Sequence, residues 1–252
     1  MVLPFFDAVL GILATALLAY ASVRAEALTP RGGAVAFAFG SVIVVLGGFP
    51  FLALLVLFVG ASVLATRYGI EEKARRHVQE GQRGERGVSN VIAHILVPTA
   101  LVLVAAISSS WLSDPDLAIL YSSALAFGAA DTFASEFGVL AGGARSILSG
   151  RLVEPGTNGG VSALGEVWAL VGAITTALFA VSLFVTFGFP AGPADILLGV
   201  ASVSGFLGCQ VDSVVGETLE NHGYLTKGGT NLVSMIASVA IGWGILVASG
   251  IF

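Results

Sequence analysis

Long apolar runs alternate along the chain with short polar connections. The runs cover residues 3–23, 33–49, 50–66, 88–110, 117–140, 161–187, 194–216 and 231–251. Each reaches or approaches the roughly 20 residues that a membrane-spanning helix needs. The pattern therefore predicts an all-α protein, a polytopic transmembrane helical bundle with about eight spans. The second and third runs are short and joined by Gly47-Gly48-Phe49-Pro50, so they could instead form a re-entrant pair.

The overall composition supports a membrane protein. The 252 residues are 56% hydrophobic and only 11% charged, whereas a soluble domain carries about 25% charged residues. We therefore predict a single integral membrane domain over residues 1–252, with the lipid bilayer as its first partner. No nucleic acid is expected among its partners, and the sequence leaves the oligomeric state open.

Positive charges indicate how the protein is oriented in the membrane. All eleven lysines and arginines fall in the connections that follow the first, third, fifth and seventh spans. The positive-inside rule makes these connections cytoplasmic and both termini external. The longest, residues 67–87, is predicted to be a cytoplasmic basic loop, which could be solvated near lipid headgroups or form a flap over a phosphate-bearing substrate. The composition fits a prokaryotic cytoplasmic membrane.

An internal repeat joins the last four spans. The fifth span ends with "DTFASE" (131–136) and the seventh with "DSVVGE" (212–217). Each is followed by a glycine-rich connection that contains Gly-Thr-Asn, in "PGTNGGVS" (155–162) and "GGTNLVS" (228–234). The pattern predicts that spans five and six and spans seven and eight form a degenerate parallel repeat. Sites in membrane proteins often lie at the interface of such repeats.

The repeat places four carboxylates at the ends of two spans. A carboxylate within a span costs on the order of 3 kcal/mol on insertion scales, so it is usually functional or paired. Oxygen ligands of this kind suit Mg²⁺, which proteins hold with one or two carboxylates plus substrate phosphates. The candidate metal ligands are Asp131, Glu136, Asp212 and Glu217.

The glycine-rich connections supply groups that can bind phosphate. Backbone N–H groups at such turns and at helix starts attract anions. Basic residues near the same ends add positive charge, although Arg31 and Arg67 could equally be arginines that only set the topology. The candidate nucleotide- and phosphate-binding residues are Thr157, Asn158, Gly159, Gly160, Ser213, Lys227, Thr230, Asn231 and Arg31.

These segments together resemble a known family. The matching stretches are "RGGA" (31–34), "TRYG" (66–69), "ADTFASEFG" (130–138), "PGTNGGVSALG" (155–165), "GFLGCQVDSVVGETL" (205–219) and "TNLVS" (230–234). They are similar to the DUF92 family, which includes transmembrane protein 19 and the phytyl-phosphate kinase of plants and cyanobacteria. The resemblance covers nearly the whole chain, although "ERGVSNVIAH" (85–94) is only a loose match to the family's pattern.

The resemblance implies an enzyme. It implies a kinase that transfers a phosphoryl group from CTP, or another nucleoside triphosphate, to an isoprenyl monophosphate at the cytoplasmic membrane face, with Mg²⁺. Asp131, Glu136 and Asp212 would hold the metal and the nucleotide phosphates. The loop from Thr157 to Gly160 would cradle phosphate, and Arg67 would be a ligand for the prenyl phosphate or the γ-phosphate.

Two other classes of function remain open from the sequence. One is a different lipid enzyme, either a cytidylyltransferase that forms a CDP-lipid or a kinase of a free polyprenol. The other is a transporter, because repeats and intramembrane carboxylates also occur in transporters. A polar path across the membrane would favour transport, whereas a closed apolar floor beneath the acidic residues would favour a lipid enzyme.

Overall fold

The structure, a computed structural model, describes residues 3–79, 84–108 and 110–250. Its described part is built mainly from α-helices. In chain order these are α1 (Phe5–Arg24), α2 (Pro30–Gly47), α3 (Phe49–Arg67), α4 (Ile70–Arg75), α5 (Val88–Ile107), α6 (Asp114–Gly138), α7 (Ala163–Thr186), α8 (Ala194–Val215) and α9 (Lys227–Ser249). A π-helical turn, Gly216–Glu220, continues α8.

Eight of the described helices are long and apolar enough to cross a membrane, which confirms the predicted polytopic bundle. The second and third runs are full helices of 18 and 19 residues rather than a short re-entrant pair. The turn between them is a single residue, Gly48, whose φ of +97° favours glycine. Thr29 caps α2 by accepting a hydrogen bond from Gly32, so this helix begins earlier than its apolar run.

Helix α6 is the centre of the bundle, and 83% of its most apolar 18-residue window is buried. It packs against α3, α5, α7, α8 and α9. Small residues allow this crowding, since an added Cβ at Gly172 of α7 would lie 2.7 Å from the Ala129 carbonyl oxygen. An added Cβ at Gly205 of α8 would lie 2.6 Å from the Ala126 Cβ. Close backbone approach through small residues is how membrane helices pack tightly.

A small sheet interrupts the helical pattern between α6 and α7. Its strands are β1 (Ala144–Ser146), β2 (Leu152–Val153) and β3 (Gly160–Val161), in the order β2-β1-β3 with both pairs antiparallel. The apolar runs did not predict it, because these strands are only two or three residues long. The sheet fixes the glycine-rich connection, since Gly159 accepts a hydrogen bond from the Ile147 backbone N–H at 2.9 Å.

The predicted basic loop, 67–87, is partly folded. Its residues 80–83 lie outside the described part of the chain. Helix α4 is held on the bundle by Lys73, whose side chain is fully buried. On the surface of this segment, Arg76 pairs with Glu72 at 2.7 Å, and this hydrogen bond lowers the pKa of the Glu72 carboxyl group. Arg76 also donates to the Val139 carbonyl at the end of α6.

The two Gly-Thr-Asn elements of the repeat adopt different structures. The first, Gly156–Asn158, is a turn that precedes α7 by several residues, and Ser162 caps that helix. The second, Gly229–Asn231, lies inside the first turns of α9, because the capping residue Thr226 precedes it. The second element is therefore not a loop before a helix start, as its sequence suggested.

Candidate functional site

A polar pocket of about 310 Å³ lies where the last turns of α6 and α8 meet the first turns of α7 and α9. The glycine-rich connection between β2 and β3 covers one side, and residues 77–79 after α4 cover another. Among the predicted site residues, those that line it are Asp131, Glu136, Thr157, Asn158, Gly159, Gly160, Asp212, Ser213, Lys227 and Asn231.

Two carboxylates from different helices meet in this pocket. Asp131 of α6 and Asp212 of α8 both line this pocket. Oxygen Oδ1 of Asp212 is buried and has no hydrogen-bond partner among the described residues. The Ser234 hydroxyl lies beside this carboxyl group and, within the described part of the chain, also has no hydrogen-bond partner of normal geometry. The Asn231 amide donates to Asp131 Oδ2 over a long 3.4 Å.

The glycine loop is shaped by its contact with the end of α8. Gly159 has a φ of +79°, and an added Cβ there would lie 2.3 Å from the Cβ of Glu217. Only glycine fits at such a position. The Asn158 side chain donates to Glu220 Oε1 at 3.0 Å, and Asn221 donates back to the Asn158 carbonyl at 3.3 Å. The loop is therefore held against the π-helical turn.

The other two predicted metal ligands have protein partners. Glu136 accepts a hydrogen bond of 2.7 Å from Lys73 Nζ, which also donates to the Ala65 and Thr66 carbonyls. Glu217 accepts from the Ser146 hydroxyl at 2.6 Å, and from a backbone N–H of the β1–β2 turn. The structure brings Asp131 and Asp212 together but gives Glu136 a structural counter-charge and directs Glu217 towards the sheet.

Three further predicted residues lie away from the pocket lining. Thr230 is buried inside α9. Arg31 is an exposed residue in the first turn of α2. Arg67 ends α3, and its guanidinium donates to the Ala25 carbonyl at the end of α1.

Two acidic residues of the pocket were missed by sequence reasoning. Glu166 of α7 lines the pocket and accepts a hydrogen bond from the Gln210 amide at 2.9 Å. It directly follows the segment "PGTNGGVSALG", so extending that segment by one residue would have found it. Glu220 also lines the pocket, one turn beyond Glu217. The sequence indicates Glu220 only weakly, because the α-helical spacing used for prediction does not apply across a π-helical turn.

The charge of the pocket determines what it can bind. Its described lining contains five carboxylates and one lysine, Lys227. One carboxylate, on Glu136, is neutralised by Lys73. A polyphosphate would be repelled by the remaining negative charge unless cations accompany it, because bound cations invert the local electrostatics. A phosphate ligand in this pocket would therefore need positive charge beside it.

The residues present fit Mg²⁺. Asp131 and Asp212 offer hard oxygen atoms in one place, including the buried Oδ1 atom of Asp212 that lacks a hydrogen-bond partner in the described structure. Within the described ranges, no group of three or more His, Cys, Asp and Glu residues is arranged to hold a metal alone. Two carboxylates, with substrate phosphates completing the coordination, match the usual magnesium site.

A chain of polar contacts leads from this pocket towards a second cavity. His94 of α5 is buried, and its Nδ1 lies 2.9 Å from the Asn90 carbonyl oxygen. Since a carbonyl only accepts, Nδ1 carries the proton and Nε2 is the acceptor. Nε2 lies 3.5 Å from the Asn231 amide, which also contacts Asp131. Sequence reasoning found no role for His94, because its contact with Asn231 comes from a distant segment of the chain.

The fold and the pocket define a class: a polytopic helical membrane protein with an acidic, glycine-covered pocket at one end of the bundle. Comparison with known proteins gives the family. The model of the family described as "Integral membrane protein DUF92" matches residues 13–250, and the chain belongs to this family. No solved structure matches the chain.

Two relatives are similar over most of their length. The "Uncharacterized membrane protein MJ0933" of Methanocaldococcus jannaschii is 31% identical over 204 residues, which cover 81% of this chain and 79% of the relative. "Protein PGR" of Arabidopsis thaliana is 28% identical over 241 residues, which cover 88% of this chain and 82% of the relative. The family identity is therefore clear, and the name of neither relative states a reaction.

Proposed function

We propose that this protein is a prenyl-phosphate kinase, which transfers a phosphoryl group from CTP or another nucleoside triphosphate to an isoprenyl monophosphate. The observation that carries the proposal is the meeting of Asp131 and Asp212 under the glycine loop, at the end of a lipid-embedded bundle. A polar pocket there suits a substrate with a charged head and an apolar tail. The family resemblance of these same segments supports the choice of substrate class.

The reaction needs little covalent chemistry from the protein. An oxygen of the acceptor monophosphate attacks the γ-phosphorus, the bond to the bridging oxygen breaks, and the nucleoside diphosphate leaves. The acceptor is a phosphate monoester whose second pKa is about 6, so it is largely ionised at neutral pH and needs no strong base. Positioning and charge neutralisation therefore dominate the catalysis.

Each group in the pocket has a role in this proposal. Asp131 and Asp212 hold Mg²⁺, which when bound neutralises the phosphate oxygens of the donor. The loop from Thr157 to Gly160 covers the phosphates, and Lys227 adds a positive charge beside Asp212. Asn231 orients the Asp131 carboxylate. Glu136 and Lys73 fix the end of α6 rather than touch the substrate.

The packing below the pocket supports an enzyme over a transporter. Beneath the acidic residues, α6, α7 and α8 are joined by a tightly packed apolar cluster of Ala126, Ala130, Ala169, Ala173 and Cys209. All five are at most 4% exposed. This cluster lies below the pocket as a closed apolar floor, which favours a lipid enzyme over a transporter. The basic connections lie at this end of the bundle, and by the positive-inside rule this supports a pocket at the cytoplasmic face.

Product analysis tests the proposal. Purified protein in nanodiscs is supplied with Mg²⁺, geranylgeranyl monophosphate and either CTP or ATP, and the products are identified by mass spectrometry. The proposal expects the prenyl diphosphate and a nucleoside diphosphate. A CDP-lipid with pyrophosphate would identify a cytidylyltransferase, and phosphorylation of the free prenol alone would identify a polyprenol kinase. Absence of any product from folded protein would contradict the proposal.

A further inference from the structure

Two buried hydroxyl groups of α9 lie next to the acidic pocket. Ser234 is 0% exposed and Thr230 is 1% exposed. Neither Oγ of Ser234 nor Oγ1 of Thr230 has a hydrogen-bond partner among the described residues. The two residues are four positions apart and therefore lie on the same face of the helix. Burial of an unpaired hydroxyl is unfavourable, so a face with two such groups needs an explanation.

Other buried hydroxyls of the spanning helices have partners. In helices, a serine or threonine side chain often donates to the carbonyl oxygen four residues earlier. The residues that do so here include Thr15, Thr99, Ser122, Ser123 and Ser204. One turn along α9 from Ser234, the Ser238 hydroxyl donates to the Ser123 carbonyl at 3.1 Å and to the Ser204 carbonyl at 2.9 Å. Ser234 therefore differs from its nearest equivalent on the same helix face.

The internal repeat explains why Ser234 has no capping role. In each copy the Gly-Thr-Asn element leads to a Val-Ser pair. Ser162 of the first copy caps α7 by accepting a hydrogen bond from the Gly165 backbone N–H at 3.1 Å. In the second copy α9 already begins at Lys227, so Ser234 lies about two turns inside the helix. The equivalent hydroxyl is therefore available to a different partner.

The neighbour of the Ser234 hydroxyl is the Asp212 carboxyl group of α8. Oδ1 of Asp212 is buried and, like the hydroxyl, has no hydrogen-bond partner in the described part of the chain. Ser62 and Ser202 also lack partners there, so it is this carboxylate that distinguishes Ser234. Two neighbouring oxygens that do not bond to each other suit a shared cation. Ligands at about 2.1 Å from an octahedral Mg²⁺ lie about 3 Å apart, and Ser and Thr hydroxyls bind Mg²⁺ in phosphate sites.

We propose that Ser234 is a protein ligand of the Mg²⁺ ion that Asp131 and Asp212 hold. This inference rests on the proposed function for the presence of the metal. It adds a ligand from α9, so that the ion joins α6, α8 and α9. A hydroxyl ligand also adds no negative charge to a pocket whose described lining already contains five carboxylates. More of the positive charge of the ion is then left for the phosphates.

Binding of Mn²⁺ without nucleotide tests the inference. Mn²⁺ prefers the same oxygen ligands as Mg²⁺, and electron paramagnetic resonance measures its free concentration during titration of the purified protein in detergent. Wild-type protein should bind Mn²⁺ saturably, and Mg²⁺ should displace it. Ser234→Ala should weaken Mn²⁺ binding at least roughly tenfold, since even changes beside metal ligands weaken binding by about ten- to hundredfold.

The matched control is Ser238→Ala, on the same face of α9. Its hydroxyl has two carbonyl partners, so this variant should have a lower Tm but unchanged Mn²⁺ affinity. Ser234→Ala should keep or raise the Tm of the metal-free protein, because an apolar group replaces an unpaired buried hydroxyl. The rise in Tm on addition of Mg²⁺ should shrink, since a weaker ligand stabilises less. A lower metal-free Tm with unchanged Mn²⁺ affinity would identify a structural hydrogen bond and overturn the inference.

A change of the ligand atom tests direct contact between Ser234 and the metal. Ser234→Cys replaces the hydroxyl oxygen by sulfur, which prefers soft metals such as Cd²⁺ over Mg²⁺. This variant should bind Mg²⁺ more weakly and Cd²⁺ more tightly than wild type does. Ser238→Cys is the control, and the native Cys209 is present in every protein compared. An equal gain of Cd²⁺ affinity in both variants would show that Ser234 does not contact the metal.

The outcomes separate this inference from the proposed kinase activity. Mn²⁺ binding that depends on Ser234, in protein that transfers no phosphoryl group, would support the metal ligand and contradict the kinase. Turnover by wild-type protein, with the same Mn²⁺ affinity in Ser234→Ala, would overturn the ligand and leave the kinase. Absence of saturable Mn²⁺ binding by folded wild-type protein would also overturn the inference.

Discussion

The close contact between α6 and α8 sets the distance between the two pocket carboxylates, and Gly205→Ala tests it. The added methyl group would lie 2.6 Å from the Ala126 Cβ and 2.8 Å from its carbonyl carbon. Ordinary carbon contacts begin near 3.4 Å, so the two helices would have to separate by about 0.8 Å. Overpacking of this kind destabilises a protein by roughly 1–3 kcal/mol. Asp131 and Asp212 lie beyond this contact on the same two helices, so they would move apart.

Activity should respond more strongly than stability. Misplacement of catalytic groups by about 1 Å can reduce a rate by about a hundredfold. The matched control is Gly199→Ala, on the same helix, where an added Cβ meets no atom within 4 Å and helix propensity favours alanine. Thermal unfolding in detergent and phosphoryl transfer would be measured for both variants. If Gly205→Ala matched Gly199→Ala in both assays, the helices would not need this contact and the reasoning would be wrong.

Two further substitutions follow from the contacts around the pocket. Lys73→Met should destabilise the protein by about 3–5 kcal/mol, because it leaves the Glu136 carboxylate buried without its counter-charge. The double variant with Glu136→Gln should recover most of the loss, and failure of this recovery in thermal unfolding would show that the pair is not the anchor. Gly159→Ala should strain the loop by about 1–3 kcal/mol and weaken nucleotide binding, measured by calorimetry. The control Gly143→Ala has open space around its Cβ, so equal effects of the two would contradict the role of the loop.

The helices could be predicted from the sequence because the bilayer restricts the choice of structure. Each spanning segment must satisfy its own backbone hydrogen bonds, so a long apolar run becomes a helix. The ends of the helices were predicted less accurately. In α2, for example, the Thr29 cap and Pro30 extend the helix beyond its apolar run. The three-stranded sheet could not be predicted, since its short strands are fixed by contacts with the end of α8 rather than by a periodic pattern.

The candidate site was partly visible in the sequence. The repeated aspartates at the ends of two spans suggested that Asp131 and Asp212 would meet, and the structure places both in one pocket. The partners of the glutamates were not visible, because Lys73 and Ser146 are more than sixty residues from Glu136 and Glu217 along the chain. Such pairs depend on how helices pack, which no local pattern encodes. The metal and catalytic roles of these residues stay predictions.

The most direct test of the central claim is the rate of phosphoryl transfer to a prenyl monophosphate in Asp131→Asn and Asp212→Asn, measured beside Asp195→Asn. Asp195 is an exposed residue in the first turn of α8 and lies at the opposite end of that helix from Asp212. We predict that each pocket variant loses nearly all turnover while remaining folded, and that Asp195→Asn keeps the wild-type rate. Wild-type turnover in both pocket variants would contradict the claim that this carboxylate pair forms the catalytic centre.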